Sequence, residues 1–421
     1  LTDPGNPMVT TPEKHGILAA WQYHHYRLLW SSAFGTYVGR WAEMVVVSWL
    51  VLELTDSPLL VGLVGAVRTA PMFLGPYCGT IADRYDRRRI LMTAQITWAA
   101  ASLVITGLFF TSMLEVWHLF VLTFIGGLSF TFDFSTRYAA ASEIVGSQHL
   151  LPAVSLLFVA MGTTSIFGPL LGGSLLGLIG PAGCFALITG SFLWSYFMLL
   201  LMKIKAPERS KTGGSTWKNL VLGLRYVKND RALLALVLLA ALANLLIFPY
   251  WFTLMPLFAS NIFHTGPTGF GLLMAAIGLG HATGSVIISV LPDTFNKGWL
   301  VIRTMALWSI LLLVFTGIRL FPLSIVLLVF VGTAQGMSMS LVQSLLLLWS
   351  SHEMRGRVSG LRAFAISTLP FGNLAAGAAA GVWGAPLVLV VISCASVLIT
   401  VIIALWANEL RHRGKAFYQP L

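Results

Sequence analysis

Charge is what this chain has least of. Asp, Glu, Lys and Arg together make up 10% of its 421 residues, where a soluble domain carries about a quarter. So few charges cannot cover a water-exposed surface, which excludes an ordinary soluble protein of this size. Cysteine is nearly absent too. Cys78, Cys184 and Cys394 all fall in apolar stretches and read as small buried apolar residues, with no disulfide framework or metal site. The sequence has no Gly-x-x-x-x-Gly-Lys-Ser/Thr phosphate loop, no Cys/His cluster and no nucleophile–base set. These absences exclude an ATP-driven pump within the chain and argue against an enzyme. No cofactor is implied. If the protein does work, the energy comes from an ion or substrate gradient, a proton gradient first, or from a partner.

Apolar residues, by contrast, make up 57% of the chain, in long runs such as Leu387–Ala407 and Leu313–Leu347. About 18 or more apolar residues can cross a bilayer core as a helix. Lipid offers the backbone no hydrogen-bond partners, so spans must be helical or close into a barrel. These runs are too long for barrel strands and lack their period-2 alternation. The expectation is an all-α membrane protein with twelve helices, near 28–52, 58–82, 90–112, 116–138, 152–178 and 182–203, then 231–258, 267–291, 299–317, 321–346, 357–381 and 385–407.

The net charge of +11 is explained by topology rather than by a nucleic-acid partner. One side of the membrane receives Lys14, Arg27, Arg84, Arg87, Arg88, Arg89 and Arg137. It also receives the central run from Lys203 to Arg231, then Lys297, Arg303, Arg355, Arg357, Arg362, Arg411, Arg413 and Lys415. The other side receives Arg319 alone, and Arg40 and Arg68 lie within spans. By the positive-inside rule both termini are expected in the cytoplasm, in an integral plasma (inner) membrane, bacterial in this reading. With Leu at position 1, the natural start is expected at Met8, and no cleavable signal peptide precedes the first span. Residues 1–27 are then a cytoplasmic segment. Residues 28–203 and 231–407 are two pseudo-symmetric six-helix halves, 204–230 a cytoplasmic linker and 408–421 a tail. Within the linker, Leu220, Leu224 and Val227 recur at helical spacing among basic residues, the pattern of an amphipathic helix at the interface. The halves echo one another: Gly168-Pro169-Leu-Leu-Gly172-Gly173 is answered by Pro370-Phe-Gly372 and by Gly377 and Gly381. Internal repeats with a site at their interface are a transporter signature.

The most specific local string is Gly79-Thr-Ile-Ala-Asp83-Arg84-Tyr-Asp86-Arg87-Arg88-Arg89. Charges this dense need mutual compensation: Asp83 can accept from a helix N-terminus and Arg87 can fork onto a carboxylate. The plainer reading is a solvated basic turn that sets topology. The string resembles the loop motif of the major facilitator superfamily, matching at Gly79, Asp83, Arg84, Arg87 and Arg88, with Asp86 where that motif has Gly. Together with Trp49–Pro58, the Asp133…Arg137 pair, Glu143-Ile-Val and Arg355-Gly-Arg357, it resembles the transmembrane secretion effector branch of enterobactin-exporter-like and macrolide-efflux-like proteins. The likeness runs from about Tyr26 to Leu410. It implies alternating access by rocking of two halves, with a gating latch in which Asp83 caps the eleventh helix and Arg87 bridges to Asp133 on the fourth. Gly168, Pro169, Gly172 and Gly173 resemble the end of an antiporter motif, with Thr164 where a Gly belongs; tight packing of the fifth and eighth helices explains the same residues.

Ionisable residues inside spans are costly and so are functional candidates. Glu43 is the first: a desolvated carboxyl can carry a coupling proton or act as counter-ion to a cationic substrate. Arg40, at i and i+3, can instead neutralise it. Arg68 either faces the cavity to attract an anion or snorkels to an interface. His281 is a titratable group or a packing residue. Asn244, Tyr250, Trp251, Gln335 and Gln343 are candidates to line an amphiphile cavity, although Tyr250 and Trp251 also suit an interfacial aromatic belt. The function expected is secondary active efflux of a small amphipathic organic molecule, drug- or siderophore-like, coupled to proton entry. Alternatives are translocation of a lysophospholipid-like substrate, or a non-transporting subunit of a membrane complex.

Overall fold

The computed structural model describes residues 18–82, 84–203, 216–292, 296–351 and 353–410. Among them every regular element is helical. The first half contains α1 (His24–Thr55), α2 (Pro58–Thr69), α3 (Gly75–Ala82), α4 (Arg87–Phe110), α5 (Val116–Val145) and α6 (Leu150–Leu201). Next come the linker helix α7 (Thr216–Lys228), α8 (Arg231–Leu242) and α9 (Met255–Leu257). The series ends with α10 (Gly266–Val290), α11 (Lys297–Gly317), α12 (Phe321–Trp349), α13 (Arg355–Ile366), α14 (Leu369–Trp383) and α15 (Ala385–Trp406).

Nine helices among the described residues are long and apolar enough to cross a bilayer. At 1.5 Å per residue the 52-residue α6 is about 78 Å long, enough for two crossings of a roughly 30 Å core. It bends at Gly180, whose φ of 70° only glycine adopts freely, with Pro181 starting the second leg. Counting α6 twice and adding α1 and the Pro58–Ala82 series is compatible with the expected twelve. The outward faces carry large apolar side chains, such as Leu178, Phe110 and Val382 at 80%, 78% and 77% exposure. In water this would be an aggregating surface; in a bilayer it is the lipid face. Cys394 lies on this exposed side, against expectation, while Cys78 and Cys184 are buried; all three are free.

Polar residues end the spans where the chain must turn. Ser57 accepts from Leu60 N, with Pro58 opening α2. Asp86 accepts from the N–H groups of Arg88 and Arg89, Asp230 from Ala232 and Leu233, and Asn296 from Trp299. Each satisfies backbone donors that a helix start leaves free. The stretch after α8 is irregular. Three wide π-turns, Ala243–Ile247, Tyr250–Leu254 and Phe258–Ile262, alternate with Pro249 and Pro256, which cannot donate to the helix ladder.

Two helix pairs join the halves: α2 with α14, and α6 with α10. Glycines make these contacts backbone to backbone. A Cβ on Gly62 would lie 2.5 Å from Asn373 O and 2.8 Å from Gly377 Cα; one on Gly271 would lie 2.5 Å from Pro169 O and 3.1 Å from Gly173 Cα. Further along, a Cβ on Gly278 would lie 2.5 Å from Ser165 O. These sites run from the arginine-poor face to mid-bundle. Toward the basic face, Gly162 of α6 has open space around it. The halves are therefore closed against each other on the arginine-poor side.

Candidate functional site

Two ion pairs are buried in the first half. Glu43 of α1 is fully buried and meets Arg68 of α2, 4% exposed, through one contact of 3.3 Å from Nη1 to Oε2. Its other oxygen, Oε1, has no partner, and neither do Arg68 Nε and Nη2. Arg68 is thus buried rather than snorkelling, with Nη1 on Glu43 and its other two donors open. Arg40 does not neutralise Glu43 either: its guanidinium stacks 3.1 Å above the Phe130 ring of α5. Spacing along one helix is weaker than these two offers from neighbouring helices, a carboxylate-facing Arg from α2 and an aromatic face from α5.

The second pair is complete. Arg137 holds Asp133 through Nε (2.9 Å) and Nη2 (2.5 Å), both side chains fully buried. Gln95 of α4 donates to Asp133 Oδ1 at 2.8 Å. Arg137 also donates to Leu29 O, Ser32 Oγ and Thr36 Oγ1 of α1. Arg137 therefore belongs to the buried bundle and not to the basic face where its charge suggested.

The latch differs from expectation. Arg87 pairs with Glu143 at 2.7 Å and donates to Ala139 O at 2.9 Å. Asp133 is about 15 Å deeper along α5 at 1.5 Å per residue, out of reach from the start of α4. Arg88 donates to Leu199 O and Leu200 O, closing the C-terminal end of α6. Arg84 is exposed, and a Cβ on Gly79 would meet nothing within 4 Å. Asp83 lies outside the described residues.

In the second half, Tyr250 OH and Trp251 Nε1 both donate to Gln335 Oε1, at 2.8 and 3.2 Å. All three are buried, so the two aromatics are core and not an interfacial belt. The Trp251 ring lies 5.6 Å from Trp41 of α1, placing this cluster against the other half. Asn244 turns back on its own helix, donating to Ala240 O at 2.7 Å. Gln343 accepts from Arg362 Nη1. The His281 backbone packs against Gly332 and Gly336 of α12, a packing position. Gly168 and Gly172 press on Val38, Trp41 and Ala42 of α1, while Gly173 meets Pro267 and Gly271 of α10. The glycine motif is thus a packing device joining three helices.

Sequence reasoning missed Glu143 as the Arg87 partner and Gln95 as the Asp133 partner. It also missed Asn373, buried with its Nδ2 unpaired beside Gly65 while Thr253 donates to its Oδ1 at 3.3 Å. A buried amide and a carboxylate one helix end from an Arg-rich turn were the available signals.

Helix-paired halves, glycine contacts between them and charges buried inside the bundle define a membrane transporter of the major facilitator type, not an enzyme. The chain belongs to the transmembrane secretion effector family, whose profile matches residues 15–416. It is 26% identical over 313 residues to the enterobactin exporter EntS of Citrobacter koseri, covering 73% of each chain. It is 27% identical over 212 residues to the uncharacterized MFS-type transporter YfiS of Bacillus subtilis, covering 48% of this chain and 49% of that protein. Among solved structures it resembles the D-xylose–proton symporter, with a TM-score of 0.71, 14% identity and coverage of 90% and 97%. It also resembles a bacterial homologue of the human lysosomal transporter Spinster in an inward-facing, unoccupied conformation, with a TM-score of 0.69, 11% identity and coverage of 93% and 98%.

Proposed function

We propose that the protein is an antiporter of a bacterial inner membrane, exporting a small amphipathic organic molecule, drug- or siderophore-like, in exchange for protons. Both termini are cytoplasmic in this reading, so the closed arginine-poor side faces outward. The kinship with enterobactin exporters supports the direction. The observation that carries the coupling is the contrast between the two buried pairs. Asp133–Arg137 is saturated with partners, as a structural pair must be, whereas Glu43–Arg68 is held by one long contact and leaves three polar atoms unpaired. Such atoms are costly to bury, and protonation of Glu43 offers a second stable arrangement in which the pair parts. Arg87–Glu143 and Arg88 sit where the loop would sense rocking of the halves.

The test is proton movement in proteoliposomes, read with a pH-sensitive dye against a panel of amphipathic compounds. Wild type is expected to dissipate an imposed ΔpH when a transported compound is present. Glu43→Gln should lose gradient-driven accumulation yet keep counterflow exchange. Loss of both would move Glu43 from coupling to binding or folding. A lysophospholipid-like substrate is a second reading, favoured by an apolar groove of about 160 Å³ between α14, α15 and the first π-turn, lined by Leu245, Leu246, Ala379, Trp383 and Val391. Export of a labelled lysolipid, with no response to soluble amphiphiles, would select it.

A further inference from the structure

The charges at membrane depth do not balance, and the imbalance points to the sign of the substrate. In the first half, Glu43 and Asp133 are each taken by one arginine, Arg68 and Arg137. The other described carboxylates of residues 28–203 sit at helix ends or in turns: Glu53, Asp56, Asp86, Glu115 and Glu143. In residues 231–407 the sequence has only Asp293 and Glu353. Arg40, well inside α1, makes no ion pair and no hydrogen bond among the described residues; Glu43 and Asp133 are close enough to act on it, yet the three arginines here outnumber the two carboxylates by one. Arg362 on α13 is held by the neutral amide of Gln343. An uncompensated cation in a bilayer-spanning bundle is expensive, and its cost falls when an anion arrives.

The setting of Arg40 suits that task. Arg40 Cζ lies 3.1 Å from the centre of the Phe130 ring, a cation–π contact that uses none of its N–H groups as a hydrogen-bond donor to a protein acceptor among the described residues. The in-plane N–H edge remains, the edge that forks onto a carboxylate, sulfonate or phenolate. Arg40 is half-buried, one residue before Trp41, whose ring meets Trp251 of the other half at 5.6 Å. We infer that the transported substrate is an organic anion and that Arg40 is the residue that takes its charge. This deepens the efflux reading and rests on it.

The test uses the full chain in nanodiscs and three probes with one ring: naphthalene-1-sulfonate, naphthalene-1-sulfonamide and 1-naphthyltrimethylammonium. Affinity is read by equilibrium binding in Tris buffer at low chloride, with no organic anion present. The sulfonate is expected to bind best, and Arg40→Gln to weaken it about tenfold or more, the loss of a charge-assisted bond. Arg40→Lys should keep part of the affinity, and Arg40→Glu should shift preference to the ammonium probe. Size-exclusion profiles and unchanged helical circular dichroism separate these effects from misfolding. A sulfonate bound no better than the sulfonamide, or equally well by Arg40→Gln, overturns the inference. Displacement by chloride at equal concentration also overturns it, assigning the site to an inorganic ion. Failure of the efflux reading looks different. Anion binding that depends on Arg40 but moves no protons in proteoliposomes would leave this site standing and remove the coupling. Proton movement driven only by cationic compounds would do the reverse.

Discussion

Glu43 and Asp133 are both acids buried beside an arginine, yet their surroundings separate them. Asp133 lies within a network from α1, α4 and α5, in which both its oxygens accept and Arg137 donates through Nε and both terminal nitrogens. Removing one member of such a pair strands a buried charge and costs about 3–5 kcal/mol. Asp133→Ala is therefore expected to lower the thermal midpoint in detergent sharply and to depress yield. Glu43→Gln should change the midpoint far less, because that site already tolerates unpaired atoms. Equal destabilisation by the two substitutions would make Glu43 structural. Arg87 and Glu143 are 14% and 26% exposed, a partly buried pair that lies between an exposed one, at about 0–1 kcal/mol, and a fully buried one, at about 3–5 kcal/mol. Glu143→Gln should thus lower stability less than Asp133→Ala while slowing transport, measured as initial rate; an unchanged rate would reduce this contact to structural support. At this scale the identities of candidates were legible, since charges in apolar runs stand out. Their partners were not. Glu43 has Arg40 near it in sequence, but space brings it Arg68 from another helix.

Helices here are defined by apolar length, and Ser57, Asp86, Asp230 and Asn296 cap the starts of α2, α4, α8 and α11. The string Gly168-Pro169-Leu-Leu-Gly172-Gly173 left open whether it couples or packs. The close backbone approaches to α1 and α10 show the packing directly. A side chain at Gly173 must push α6 and α10 apart on the arginine-poor side. Overpacking of this kind costs about 1–3 kcal/mol, roughly a 5- to 150-fold shift away from the closed contact. Gly173→Val should then reduce transport and raise thiol labelling of cysteines placed beneath that contact, such as Ser165→Cys, a buried position facing Gly278. Gly79→Ala is the matched control and should be tolerated in this state, because open space surrounds Gly79. Unchanged labelling in Gly173→Val would mean the halves do not part at this seam.

The arrangement of the whole chain rests on the asymmetry of its arginines and lysines. If the basic face is cytoplasmic, a membrane-impermeant maleimide applied to intact cells should label Arg319→Cys and Met113→Cys in a cysteine-free background. Lys228→Cys should react only after the membrane is opened. The reverse pattern would invert the topology and with it the direction of export. Which face is closed is a separate matter, because hydropathy is blind to it. The closed side became visible only from where Gly62 meets Gly377 and Gly173 meets Gly271.

Sequence by itself determined what is local or additive: that the chain crosses a membrane as helices, where most spans begin and end, which family loop it carries, and which ionisable residues stand in apolar surroundings. Each follows from composition over a window or from a short string, and the bilayer penalises any other reading. Tertiary structure decided the pairings: Arg68 with Glu43, Arg137 with Asp133, Arg87 with Glu143, Phe130 under Arg40. Those depend on how helices rotate and cross, which is set by many small packing energies summed over residues far apart in the chain. No pattern along one helix contains that sum, so the leftover charge on Arg40 appears only when every other charge has found its neighbour.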